Sequence, residues 1–434
     1  MVLEDKNSKF AFVKLRLYSA VLSKQSLMSP YNYILDLTSI VAKASTLAER
    51  LNNSSLPHVT DKDETQISER LERWCQVVAQ GKLAKFQRRL AWQGLDVDTI
   101  RPFLVNPLYD EQQPLPPWAT TLGQVIETAQ NFANKHWYPY RYLNPENSVP
   151  FEHVYVPCLQ VAAEQLLAQV GDRLKLLTED AVTALERELL LQLSALCSWT
   201  LMQEFSAFRS SGNAVRDFLL LGVAGRNCQE KYHAFIQKLF QDGLLSLFQE
   251  YSVLGRLVAT AIDFWVEATA EFLNRLATDW CDIEQCFWGE TPLKQVVAVK
   301  PGLSDPHNRG RSVIALTFDT GMQLVYKPKD LSLDVAFYHF LNWCNSHATV
   351  LPFKVLQVLN RSTYGWVEYV EPLPCEDEAA VRRFYQRSGI LLCLIHTLEG
   401  IDCHSGNLIA SGEQPVLVDM ETLLHHRNKS IGSS

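Results

Sequence analysis

The chain has 434 residues and a formal net charge of −8, with 47% hydrophobic and 20% charged residues. That length predicts two or three packed units, and the composition is that of a globular protein with ample apolar material for a core. The acidic balance argues against a nucleic-acid binder held by phosphate contacts. The start, MVLEDKNSKF, has mixed charges and no apolar h-region, so no signal peptide is expected. The most apolar windows, residues 189–202 and 254–270, are interrupted or closely flanked by Glu, Asp, Arg or Gln, and no membrane span is expected. Ten cysteines are scattered singly, and the pairs Cys281/Cys286 and Cys393/Cys403 lack zinc-site spacing. Reduced thiols in a cytoplasmic protein are the expectation.

Residues 1–290 read as almost wholly helical. Ile67, Leu71, Trp74, Cys75 and Val78 recur at three- and four-residue steps with charges on the other face. The basic, aromatic run 82–92 reads as a solvated helix face with Phe86 and Leu90 inward. Pro107, Pro114, Pro116 and Pro117 predict a loop or boundary over 106–118. An aromatic stretch at 136–142 precedes a turn at 144–147, and helices resume near Pro150. The longest pattern covers 253–279, with Leu254, Leu257, Val258, Ala261, Trp265, Ala268, Phe272 and Leu276 on one core-facing stripe.

Near residue 290 the texture changes. Residues 294–299 and 312–318 are β-type runs, and 324–326 follows the turn Asp319-Thr320-Gly321. A helix over 331–345, then strands over 351–358 and 365–370, complete a small twisted sheet crossed by one helix. The acidic 376–378 suits a helix N-terminus, and Phe384, Leu391, Leu394, Ile395 and Leu398 carry that helix to Gly400, a predicted C-cap. The fold class expected is α+β: a mainly helical region over 1–290, a kinase-like N-lobe sheet over 291–372, and an incomplete C-lobe over 373–434.

The chemistry concentrates in residues 400–421, GIDCHSGNLIASGEQPVLVDME. Asp402, His404 and Asn407 are spaced D-x-H-x-x-N, and Asp419 follows after a predicted hairpin with a Ser411-Gly412 turn. This is the layout of a kinase catalytic loop and its metal-binding Asp: one carboxylate for the attacking hydroxyl, then an Asn and a second Asp for magnesium. Lys327, at the end of the third predicted strand, is the preferred cation for nucleotide phosphates, with Lys329 as an exposed competitor. Between the first two strands, residues 301–311 (PGLSDPHNRGR) stand where a nucleotide-covering loop belongs, yet lack the G-x-G-x-x-G pattern. Two readings stay open for this loop. It is a polar hairpin, or Asp305 and His307 supply a base and a charge-stabilising group over a phosphate.

In order and number, S-D-P-H-N-R-G-R-S-V, V-Y-K-P-K, Y-G-W-V-E-Y, D-C-H-S-G-N-L-I-A and P-V-L-V-D-M-E-T-L resemble the dehydratase domain of class II lanthipeptide synthetases. The likeness extends into the helical part through R-L-E-R-W, P-F-E and E-Y-S-V-L-G-R. It implies a fold related to lipid kinases, and ATP-dependent phosphorylation of Ser and Thr in a ribosomally made precursor peptide, followed by phosphate elimination. By motif, Lys327 would contact ATP, Asp402 would be the catalytic carboxylate supported by His404, and Asn407 and Asp419 would bind Mg2+. Asp305 and His307 match residues that the family associates with elimination.

Three departures from the family pattern stand out. Gly406 occupies a position where the family usually has Glu. The helix 331–347 has no Glu for Lys327, so its partner is expected from elsewhere, such as the helical region. Thirteen residues follow Glu421, so a chain truncated before the rest of the C-lobe and the cyclase, and inactive alone, is expected. With it comes incomplete cover for Leu391, Leu394, Leu408, Val416 and Val418. The partners implied are the precursor peptide and a separate chain carrying the missing parts. The alternatives are a non-catalytic fragment that binds a leader peptide or completes a split synthetase, and a small-molecule or lipid kinase.

Overall fold

The computed structural model describes residues 30–52, 63–105, 114–133, 140–210, 224–289, 291–347 and 351–424. Two compact units are formed, Met1–Lys135 with Phe205–Ala259 and His136–Glu204 with Thr260–Ser434. The described part of the first is helical. In Asp63–Ala79 the faces sort as the three- and four-residue repeat requires: Ile67, Cys75 and Ala79 are buried, and Leu71, Trp74 and Val78 are partly so. Phe86 and Leu90 of Leu83–Ala91 point inward at 1% and 2% exposure, as expected, and Phe86 meets Trp74 edge to face. The proline-rich segment ends in a helix that begins at Pro117, where a missing N–H costs nothing. Most of the predicted loop, residues 106–113, lies outside the described residues. Arg256 binds Glu49 through both nitrogens, at 2.6 and 2.8 Å, and this pairing holds the Glu49 carboxyl at about 2.

The second unit joins helices to an antiparallel sheet, so the chain is α+β. The turn at 144–147 is a short 3-10 helix, Pro145–Asn147, capped by the Asn144 side chain. Of the aromatic stretch before it, residues 136–139 lie outside the described residues, and Tyr140 stacks on Tyr142. The long helix covers Ser252–Ile283. Leu254, Val258, Trp265, Phe272 and Leu276 are buried as expected, but Leu257 is 45% exposed and Ile262, Val266 and Leu273 are buried instead. A stripe read as one line of residues is here a broader apolar face.

Five strands follow: β1 (Val296–Lys300), β2 (Ile314–Phe318), β3 (Gln323–Lys327), β4 (Val358–Asn360) and β5 (Gly365–Glu368). They lie in the order β1-β2-β3-β5-β4, each pair antiparallel. Ladder pairing of β3 ends with Lys327 opposite Gly365, because Pro328 has no N–H to offer. The strand expected over 351–358 pairs only from Val358. The residues before it are claimed by side chains: Asn345 bonds both the amide and the carbonyl of Phe353, and Gln414 takes the Lys354 amide.

Helix α1 (Ser332–His347) lies between β3 and β4 in sequence, and helix α2 (Glu378–Thr397) follows β5. Asp377 caps α2 by accepting from the Ala380 amide at 2.6 Å. At its other end the residue in the left-handed region is Glu399, not Gly400. The hairpin β6 (Leu408–Ser411) and β7 (Gln414–Leu417) closes through Gly412-Glu413. Arg387, 3% exposed, ties α2 to the carbonyls of Pro352 and Glu413, and Tyr338 of α1 donates to the Leu417 carbonyl at 3.0 Å. The expected lack of cover therefore does not hold for Leu391 and Val416, each 3% exposed, while Leu394, Leu408 and Val418 are partly buried against the same core. That core gathers Phe337, Leu341, Phe353 and Leu356 over the hairpin.

Candidate functional site

The loop that carries Asp402 begins three residues past the end of α2 at Gly400, whose amide bonds the Ile395 carbonyl at 3.0 Å. A Cβ on Gly400 would come within 2.8 Å of Leu423 and 2.9 Å of Ile395, so the chain turns here against a packed floor. Thr422 braces the next two residues, its hydroxyl accepting from the amides of Ile401 and Asp402 at 3.4 and 3.2 Å. Asn407 closes the loop by donating from its side chain to the Asp402 carbonyl at 2.9 Å. The Asn407 carbonyl then accepts the Val418 amide at 2.9 Å, which sets Asn407 beside the strand end that carries Asp419. The predicted neighbourhood of Asn407 and Asp419 is thus built from backbone hydrogen bonds, one rung beyond the β6–β7 ladder.

His404 and Asp402 are the open part of the loop. Their side chains are 62% and 59% exposed, and His404 Nε2 lies 3.6 Å from Asp402 Oδ1, too far for a hydrogen bond. The Gly406 amide donates to His404 Nδ1 at 2.9 Å, so a neutral imidazole carries its proton on Nε2, the nitrogen facing Asp402. A side chain at 406 would put its Cβ 2.8 Å from the His404 ring. Where the family pattern has Glu, this chain instead packs His404 against a bare glycine.

The two lysines divide their work. Lys327, 9% exposed, donates to Asp334 Oδ1 at 2.9 Å and to the Val418 carbonyl at 2.6 Å. Asp334, 4% exposed, sits in the first turn of α1. The carboxylate expected from elsewhere therefore comes from the helix directly after the strand. The accepting residue is an Asp, one side-chain carbon shorter than the Glu of the family pattern, and it reaches because α1 starts five residues past Lys327. Lys329, expected to be exposed, is only 27% so and bridges Asp419 at 3.0 Å and Glu421 at 2.6 Å. Burial would raise the Asp419 carboxyl, but Lys329 and the Glu421 amide outweigh it and hold it below its usual range. Burial would likewise lower the Lys329 ammonium, and its two carboxylates lift it instead.

Asp305 and His307 lie on an ordered hairpin loop. His307 and Arg311 exchange backbone hydrogen bonds at 2.8 Å in both directions, and Asn308, Arg309 and Gly310 all have positive φ. Arg311 anchors the loop to Glu271 and Glu267 at 2.7 and 3.0 Å, leaving Asp305 and His307 exposed. No hydrogen bond or ion pair among the described residues joins either of them to Lys327, Asp402, His404, Asn407 or Asp419. A shallow pocket opens beside the loop, lined by Leu185, Glu188, Trp265, Thr269, Arg311 and Tyr326 among others, and none of the motif residues at 402–419 line it.

Asp419, Glu421 and the amide oxygen of Asn407 are hard oxygen donors suited to a divalent cation. No group of three or more His, Cys, Asp or Glu side chains forms a metal cage among the described residues. Mg2+ does not require one, since it binds through one or two carboxylates and completes its shell with water and phosphate oxygens. The donor set fits.

The sequence comparisons agree with the motifs. Residues 251–434 match a family model described as a domain of unknown function (DUF4135). The lacticin 481/lactococcin biosynthesis protein LcnDR2 of Lactococcus lactis subsp. lactis is 38% identical over 226 residues. That match spans 49% of this chain and 24% of the relative, so the chain corresponds to about a quarter of that protein's length. Among the described residues no helix is long and apolar enough to cross a membrane. In sequence, this chain resembles the class II (LanM-type) lanthipeptide synthetases.

Proposed function

We propose that this chain contributes the ATP-dependent dehydration of Ser and Thr in a precursor peptide, a step of lantibiotic biosynthesis, on a kinase-like pair of lobes. The observation that carries this reading is the convergence on one hairpin: Asp402 and Asn407 precede β6, Asp419 follows β7, and Lys327 reaches the Val418 carbonyl beside it. A kinase needs these parts together, namely a carboxylate for the hydroxyl, oxygen ligands for the cation and an ammonium for the phosphates.

In this reading the peptide hydroxyl meets Asp402, which takes its proton as the oxygen bonds to the γ-phosphorus of ATP and ADP departs. The proton on His404 Nε2 faces Asp402 and stabilises its charge. Lys327, held by Asp334, aims its ammonium at the phosphates. Asn407 and Asp419 would hold Mg2+, which supplies neutralising charge to the phosphates when bound. Elimination then falls to Asp305 and His307: a base removes the α-proton, its electron pair forms the Cα–Cβ double bond, and phosphate leaves from Cβ. The relative's name, a lacticin 481/lactococcin biosynthesis protein, supports a peptide substrate.

The reading is tested by nucleotide binding and by peptide mass. Wild-type chain should bind ATP more tightly with Mg2+ than without, and Asp419→Asn should lose that enhancement. Equal ATP affinity in both proteins, with and without Mg2+, overturns the assignment. In an active assembly, His307→Ala should accumulate phosphorylated peptide and Asp402→Asn unmodified peptide.

A further inference from the structure

Lys329 has no part in the chemistry described above, yet its ammonium sits in the middle of the candidate cation ligands. It is held by Asp419 at 3.0 Å and Glu421 at 2.6 Å, and Glu421 in turn donates its amide to Asp419 Oδ1 at 3.1 Å, closing a compact ring. No sequence motif assigned a role to Glu421 or placed Lys329 here. We propose that Lys329 is a tethered stand-in for the divalent cation, occupying the place between Asp419 and Glu421 until the cation displaces it, with Glu421 as a second carboxylate ligand.

The inference rests on the kinase-like reading of Asp419 above. The charges require displacement rather than joint occupancy. One ammonium on two carboxylates leaves a net negative charge, which a divalent cation neutralises; cation and ammonium together at the same oxygens leave an excess positive charge and bring like charges into contact. The two lysines also differ in freedom to move. Lys327 is 9% exposed and locked between Asp334 and a backbone carbonyl, whereas Lys329 is 27% exposed and one of its partners, Glu421, is 60% exposed. The flexible four-carbon stem of Lys329 can therefore release toward solvent or toward incoming phosphates. Until then it keeps Asp419 paired, so the strand end that carries the ligand stays ordered before any cation arrives.

The test titrates the full chain with Mn2+ alone, without nucleotide, by calorimetry or by the electron paramagnetic resonance signal of free Mn2+. Lys329→Met should bind Mn2+ about tenfold more tightly than wild type, equivalent to about 1.4 kcal/mol, because no internal cation has to leave. Lys329→Arg should stay near wild type. Equal or weaker affinity in Lys329→Met overturns the latch while leaving Mg2+-enhanced ATP binding, and with it the functional reading, intact. Absence of Mn2+ binding in both wild type and Lys329→Met also overturns the latch, and Mg2+-enhanced ATP binding, measured separately, decides the functional reading. Should Lys329→Met fail to fold, amine labelling of the wild-type chain decides the same question. Mn2+ should raise the labelling rate of Lys329, read by mass spectrometry, and leave Lys327 unchanged; an unchanged Lys329 rate sinks the proposal.

Discussion

Two charged pairs in the second unit answer to different rules. Lys327–Asp334 is buried, at 9% and 4% exposure and 2.9 Å, and each partner is the other's main compensation for leaving water. Asp402–His404 is open, at 59% and 62% exposure and 3.6 Å, and neither group depends on the other for its place. The buried pair belongs to the architecture, clamping the end of β3 to the first turn of α1. The open pair is held by the backbone beneath it, through Thr422, Asn407 and Gly400, with its side chains exposed. The buried lysine is thus fixed by folding, and the exposed carboxylate and imidazole are positioned without being spent on stability.

Breaking the buried pair should cost the most. Asp334→Ala leaves the Lys327 ammonium with a single carbonyl partner and should destabilise the protein by about 3–5 kcal/mol, read as a lowered urea midpoint. Lys327→Met combined with Asp334→Leu should recover most of that loss, because an apolar pair of similar volume avoids the desolvation cost. No recovery would mean that the fold needs the charges themselves.

The open pair can be disturbed from below. Gly400→Ala places a methyl 2.8 Å from Leu423 and 2.9 Å from Ile395. Overpacking of this kind should cost about 1–3 kcal/mol in thermal or urea unfolding. A stability equal to wild type would show the floor of the loop to be soft.

Glu49–Arg256 of the first unit gives an intermediate case, with side chains 47% and 22% exposed. Its Glu49 carboxyl is depressed to about 2, so its stabilisation is present above the unfolded value of about 4.3 and fades as pH falls through about 2. Solvent screening limits the pair to about 1 kcal/mol or less. The stability gap between wild type and Glu49→Gln should shrink between pH 5 and pH 2. A gap that stays constant over that range would assign it to packing.

The smallest effect on folding belongs to Asp402→Asn, expected within about 0.5 kcal/mol of wild type because the residue is exposed. On the function proposed above, phosphoryl transfer to peptide in an active assembly should nevertheless be lost. A large drop in melting temperature would move Asp402 into the class of Lys327 and Asp334.

Much of this was legible in advance. The three-residue and four-residue steps of Ile67, Leu71, Trp74, Cys75 and Val78, the β-type run over 312–318, the acidic 376–378 at a helix N-terminus and the hairpin after Asn407 were legible because one segment's own residues encode each of them. The D-x-H-x-x-N spacing was legible for the same reason, since five residues of one loop decide how Asn407 reaches back to Asp402. Residues 351–357 misled because their apolar content says strand. Their amides and carbonyls were already claimed by Asn345, Gln414 and Arg387, which periodicity does not register.

By itself, then, the sequence determined most of the element types, the α+β class and the loop that carries Asp402, His404 and Asn407. Only the tertiary structure decided which cation meets which carboxylate. Lys329 finds Asp419 across 90 residues of chain, and Lys327 finds the Val418 carbonyl across 91. A single charged side chain has no periodic signature, and a hydrogen bond depends on a few tenths of an ångström between segments whose approach is set by the core packed beneath them. Asp334 shows the same limit at short range. It lies seven residues from Lys327, yet only the turn from β3 into α1 brings its carboxylate onto the ammonium.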